Sequence, residues 1–123
     1  QTLGDKAPHI FQVNWFRKGK DGKFLWPGFG ENMRAIEWAL RRVNGEVYGH
    51  DAISGRIPNE GELNVEGLDI TSEQLNELFA LDPAAWQHEA DLTEEYFKKF
   101  GDKVPQELWH ELTWLRNRTN GVY

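Results

Sequence analysis

The sequence predicts an α/β fold: a short strand pair or sheet edge, then a helix-rich C-terminal tail. Apolar residues alternate with polar ones from His9 to Phe16, the period of a strand with one covered face. From Asn32 onward, apolar residues recur every three or four positions in separate blocks, the period of helices. Gly and Pro punctuate the chain between these blocks.

The first element is His9–Phe16, with Phe11, Val13 and Trp15 alternating with Gln12 and Asn14. Pro8 suits a strand start. Asp21-Gly22 is a tight-turn pair, because Gly takes a positive φ without steric cost. A second strand, Lys23–Trp26, then pairs back on the first. Pro27-Gly28-Phe29-Gly30 excludes regular structure. Met33, Ile36, Leu40 and Val43 lie on one face of a helix from Asn32 to Asn44, with Asn32 as N-cap and Gly45 as its stop.

Residues 45–70 are rich in Gly and read as loop, with short strands at Glu46–Tyr48 and Ser54–Ile57. Thr71 and Gln74 form a capping-box pattern that opens a helix to about Leu81. Asp82-Pro83 opens the next, with Asp as cap and Pro in the first turn. Trp86, Ala90, Thr93, Phe97 and Phe100 mark its stripe over 83–100, and Gly101 stops it. Pro105 opens a last helix with Leu108, Leu112 and Leu115 on one face, and 117–123 is expected to fray.

Length and composition bound the function. The 123 residues suffice for one domain with a core. The absence of Cys excludes a disulfide scaffold, a thiolate zinc site and a cysteine nucleophile. No apolar run approaches the ~20 residues of a membrane helix. The start, without Met or an apolar leader, reads as a cytoplasmic chain cut from something longer. Residues 1–45 carry eight Lys and Arg against four Asp and Glu, a net +4, and residues 46–123 carry six against sixteen, a net −10. The basic, aromatic front suits an anionic ligand, and the acidic rear suits a solvated scaffold.

Most catalytic signatures are missing. No two of His9, His50, His88 and His110 have the four-residue spacing of paired metal ligands on a helix. His88 beside Glu89 and Asp91, and His110 beside Glu107 and Glu111, read as solvated helix faces rather than metal sites. There is no G-x-S-x-G elbow, H-E-x-x-H helix or G-x-x-x-x-G-K-[ST] phosphate loop. Gly28-Phe29-Gly30 lacks the third Gly of a dinucleotide fingerprint. What remains is Trp15, Phe16, Phe24, Trp26 and Phe29 beside a Gly-rich turn, with Asn32 at a helix start. Rings sandwich a planar heterocycle, and an amide reads its hydrogen-bonding edge. The competing reading is that the rings form the core of a hairpin packed on helix 32–44.

The run Val13-Asn14-Trp15-Phe16-Arg17-Lys18, then Phe24-Leu25-Trp26-Pro27-Gly28-Phe29-Gly30-Glu31-Asn32, then Arg34 and Trp38, closely resembles the C-terminal region of GTP-dependent phosphoenolpyruvate carboxykinase. The resemblance is strong over 8–45 and weaker beyond. It implies a fragment of a larger carboxykinase domain, with 8–45 a guanine-binding strand-turn-helix and 71–118 the C-terminal helices. It implies an enzyme that converts oxaloacetate and GTP to phosphoenolpyruvate, GDP and carbon dioxide, using Mn2+ or Mg2+. It implies that Phe16 and Phe29 flank the base, Phe24 packs at its side and Trp15 supports that wall. Phe29-Gly30-Glu31-Asn32 then forms the nucleotide-contacting turn, with Asn32 on the guanine edge. Met33, where a small polar residue is usual, and Ala35-Ile36, for a usual Val-Leu, depart from the family without touching the aromatic wall. The family's phosphate loop, metal ligands, oxaloacetate-binding Arg and lid lie upstream, so no catalytic or metal residue is expected here. The chain alone is expected to be inactive, to need that upstream part as partner and to self-associate through uncovered apolar surface. Two rivals stand: a stand-alone structural or interaction domain that kept the carboxykinase tail, and a single-stranded nucleic-acid binder, which the acidic rear disfavours.

Overall fold

The computed structural model describes residues 3–123. In chain order the regular elements are a 3₁₀ turn at Gly4–Lys6, a second at Phe29–Glu31, helix α1 (Asn32–Val43), strands β1 (His50–Ala52) and β2 (Gly55–Ile57), helices α2 (Ser72–Phe79) and α3 (Pro83–Lys98), a 3₁₀ turn at Gly101–Lys103 and helix α4 (Gln106–Thr119). They form two compact units. One runs up to Gly49 and takes in Pro58–Phe79; the other combines His50–Ile57 with Ala80–Tyr123.

The strand pair lies in a different place from the one the alternation suggests. β1 and β2 are antiparallel, with His50 opposite Ile57 and Ala52 opposite Gly55. Ser54–Ile57 therefore contains a strand, but Glu46–Tyr48 does not. Residues 9–14 join no ladder among the described residues, and the expected partner segment 23–26 contributes one bridge, Lys18 to Phe24. The Asp21-Gly22 turn does form: the Lys23 amide donates to Asp21 Oδ1 at 3.0 Å, and Gly22 has φ +77°. Residues Arg17 and Gly19 meet Leu25 and Lys23 through two amide bonds of 2.9 Å, and there the pairing stops. Phe11 instead sets its ring edge-on to Trp38, centroids 6.2 Å apart. That ring contact, and no neighbouring strand, is what the described residues show for this segment.

The core of the first unit is Trp26, Trp38, Val47 and Leu63, with Trp15, Val65, Leu75, Leu78 and Phe79 against it. α1 covers it with Trp38, its buried residue. The stripe Met33, Ile36, Leu40 and Val43 is exposed. Amphipathic spacing reveals a face without saying what covers it, and the large indole two positions away takes the inward place. α1 ends at Asn44-Gly45: the Gly45 and Glu46 amides donate back to Arg42 and Arg41 carbonyls, with Gly45 at φ +76°. α4 closes the same way at Asn120-Gly121, with Gly121 and Val122 bonded to Arg118 and Asn117. That closure orders the start of the tail expected to fray.

The expected caps on α2 and α3 are present. Thr71 Oγ1 accepts from the Gln74 amide at 3.2 Å, and Gln74 Oε1 accepts from the Thr71 amide at 2.9 Å. Asp82 Oδ1 accepts from the Ala84 amide at 2.9 Å. In the second unit, α3 packs on α4 through Phe97 and Trp109, edge to face at 5.3 Å, and Arg116 bridges to Asp91 and Glu94.

Glu62 organises the loop that the sequence left unread. Its carboxylate accepts from the amides of Tyr48, Gly49 and Asn59, each at 3.0 Å, from Asn59 Nδ2 at 3.1 Å and from Trp38 Nε1 at 3.3 Å. Burial alone pushes its carboxyl upward, but these donors outweigh it and lower the pKa from 4.5 to about 2. A depressed carboxyl stabilises the fold above its unfolded pKa, and this contribution is lost as pH falls through the folded value. Urea denaturation across pH 7 to 2 is therefore expected to show stability falling from near pH 4.5 toward pH 2. In Glu62→Gln, stability at pH 7 is lower and the acid limb is flatter.

Candidate functional site

The hairpin, the 3₁₀ turn and the start of α1 bring the aromatic residues into one unit. Trp26 is 7% exposed, and Trp15 packs beside it with ring centroids 5.6 Å apart. Phe16, Phe24 and Phe29 face outward at 74%, 57% and 89% exposure. The indoles therefore belong to the core, whereas the phenyl rings do not. The hairpin-core reading holds for Trp15 and Trp26 and fails for the three Phe.

Local bonds aim these rings. The Phe16 amide donates to Asn14 Oδ1 at 3.0 Å, an Asx turn that directs the chain out of the core after Trp15. Phe16 then meets Phe24 edge-on, centroids 6.0 Å apart. Lys18 Nζ sits 5.5 Å from the Phe24 ring centre. Arg17 donates to the Leu78 carbonyl at 2.8 Å and the Lys20 amide to Glu77 Oε1 at 3.2 Å, which ties the hairpin to α2.

Asn32 is not the N-cap. Glu31 holds that place without a side-chain cap bond, and Asn32 is the first residue of α1. Its side chain turns to the core, where Oδ1 accepts from Trp26 Nε1 at 2.9 Å. The Asn32 amide N–H donates to the Phe29 carbonyl, so Phe29 and Asn32 are one 3₁₀ turn apart. Residues three apart in such a turn leave it on the same side, but the Asn32 oxygen turns in to Trp26 while the Phe29 ring faces solvent.

Glu31 is paired with Arg34 at 2.6 Å, and Arg34 also donates to the Asn64 carbonyl at 3.1 Å. Gly30 and Glu31 line an open depression of about 600 Å³ with Arg34 and Asn64. Phe24 lines a second of about 310 Å³ with Lys20 and Lys23. Neither depression includes Phe16, Phe29 or Asn32 in its wall. Phe16 and Phe24 thus form an open aromatic rim on the hairpin, and Phe29 stands exposed at the turn before α1. Asn14, which turns the chain outward at Phe16, was not among the candidate residues; Trp26 was in the candidate aromatic group, but its bond to Asn32 was not foreseen. Asn14 carries an Asx-turn signal two residues before Phe16, and Trp26 has an indole N–H that requires a partner once buried.

Among the described residues, no group of three or more His, Asp or Glu side chains could hold a metal ion. The divalent metal implied by the resemblance does not fit any donor set here. No described helix is long and apolar enough to cross a membrane.

Residues 1–118 match the family model described as the phosphoenolpyruvate carboxykinase C-terminal P-loop domain. Proteins named phosphoenolpyruvate carboxykinase [GTP] are similar to this chain. That of Corynebacterium jeikeium is 42% identical over 97% of this chain and 20% of its own length. That of Treponema pallidum is 41% identical over 98% and 20%, and that of Chlamydia caviae is 46% identical over 87% and 18%. The fold and the aromatic turn thus define a carboxykinase-type domain. The chain belongs to the GTP-dependent phosphoenolpyruvate carboxykinase family, and it spans about a fifth of the length of these relatives.

The turn before α1 depends on Gly28, which has φ +133° and ψ 179°, a conformation essentially confined to Gly. A Cβ there would meet nothing within 4 Å, so the cost of adding one is backbone strain. Gly28→Ala is expected to lower stability by about 1–3 kcal/mol in urea denaturation.

Proposed function

We propose that this chain is the guanine-recognition part of a GTP-dependent phosphoenolpyruvate carboxykinase. The whole enzyme converts oxaloacetate and GTP to phosphoenolpyruvate, GDP and carbon dioxide. In this reading 8–45 binds guanine and 71–118 supplies the C-terminal helices. The base lies between Phe16 and Phe29 with Phe24 at its side, Trp15 behind the wall, and Phe29-Gly30-Glu31-Asn32 as the contacting turn. The observation that carries the reading is three exposed phenyl rings in the same compact unit as the hydrogen-bonded Trp26–Asn32 pair. A purine face is a fitting partner for exposed rings of this size.

The Asn32 amide supports guanine in particular. Its oxygen is taken by Trp26, and its Nδ2 has no partner among the described residues. An N–H donor suits O6 of guanine, whereas adenine carries an amino group in place of O6. A site with a polar group matched to one base leaves it unpaired with the other.

Phosphates, Mn2+ or Mg2+ and oxaloacetate belong, on this reading, to further carboxykinase chain in a cytoplasmic enzyme. Phosphoryl transfer needs positioned phosphates and metal, so the 123-residue chain by itself is inactive. The exposed stripe of α1 supports a covering partner, either that further chain or a second copy. Sedimentation is expected to show self-association of the chain alone; a monomer at all concentrations removes the second copy.

Base stacking contributes ~1–3 kcal/mol, which corresponds to an affinity of about millimolar or weaker. Tryptophan fluorescence is expected to be quenched by millimolar GDP and not by ADP, because Trp15 and Trp26 border the rim. Submicromolar binding by calorimetry contradicts this estimate. A folded chain that responds to neither nucleotide favours a stand-alone interaction domain derived from the carboxykinase tail.

A further inference from the structure

We propose that Trp26 is a positioning residue: it fixes which way the Asn32 amide faces, and so sets the preference for guanine over adenine. This rests on the guanine-recognition reading. An indole N–H only donates, so the atom facing it across 2.9 Å must be the amide oxygen. A flipped amide would place its NH2 against the indole N–H, two donors with no acceptor between them. Burial makes that arrangement costly, and Trp26 cannot swing away. Its ring is 7% exposed, within the core of Trp38, Val47 and Leu63 and against Trp15.

The outward group of Asn32 is therefore always Nδ2. Asn32 follows Phe29, the most exposed of the three phenyl rings, by one 3₁₀ turn, so their Cβ atoms leave the turn on the same side. A base stacked on Phe29 meets a donor at its edge, which an O6 acceptor matches and an N6 amino group does not. Without the indole N–H, either amide orientation is open. Asn32 then pairs with an oxo or an amino purine equally well, and selectivity is lost while stacking remains.

The test is a titration of the 123-residue chain with GDP and with ADP at millimolar concentrations, read from the Asn32 side-chain amide and indole N–H signals by NMR. The wild-type chain is expected to bind GDP roughly ten-fold more tightly than ADP, with the Asn32 amide signals shifting. Trp26→Phe is expected to bring that ratio near one, mainly by weakening GDP. Benzothienylalanine at position 26 keeps the bicyclic shape but lacks the N–H; it is expected to lose selectivity at an unchanged melting temperature. Equal weakening of both nucleotides in Trp26→Phe, or retained selectivity with benzothienylalanine, overturns the inference and leaves the site reading intact. A wild-type chain with no GDP-induced shift at Phe16, Phe24, Phe29 or Asn32 overturns the site reading and this inference together.

Discussion

The burial of Trp26 creates a requirement that shapes the front half of the chain. Its ring fills the space between Trp38, Val47 and Leu63, while its single N–H must still find an acceptor. The acceptor is Asn32 Oδ1, six residues on. That bond spans the bend at Pro27–Glu31, where Gly28 occupies a backbone region that other residues avoid. The bend throws Phe29 outward and starts α1. Core packing, the turn and the exposed ring thus meet at this bond.

Charge plays a different part in each unit. In the first, Glu62 gathers amides from Tyr48, Gly49 and Asn59 and the Trp38 indole, replacing a ladder that this loop lacks. In the second, Arg116 spans α3 and α4 through Asp91 and Glu94, while Lys98 pairs with Glu94 and Glu95 along α3. The Lys98 and Glu95 side chains are largely exposed, so that pair adds little to stability. The basic hairpin stays solvent-facing, with Lys18 near the Phe24 ring.

Helix ends were the most legible part of the fold. Thr71 with Gln74, Asp82 with Pro83, and Gly after Asn at 44–45 act through bonds within a few residues, so their local patterns suffice. Strand pairing was less legible. Alternation at 9–16 describes a chain able to enter a sheet, but a ladder needs a second strand, and the Phe11–Trp38 contact took its place. The stripe of α1 was readable as a face, yet its exposure was not, because burial depends on what else is packed nearby.

The site divides along the same line. Residue types and order were enough to reveal the carboxykinase resemblance and to single out Phe16, Phe24, Phe29 and Asn32, since motif identity is carried by the linear chain. Only tertiary structure could separate the two indoles from the three phenyl rings, because their shared hydrophobicity does not say which side faces water. Tertiary structure also decided that Asn32 spends its oxygen on Trp26 and that Glu62 ties a loop together. Such bonds join groups that no local pattern relates, and they exist only once the core has brought them within reach.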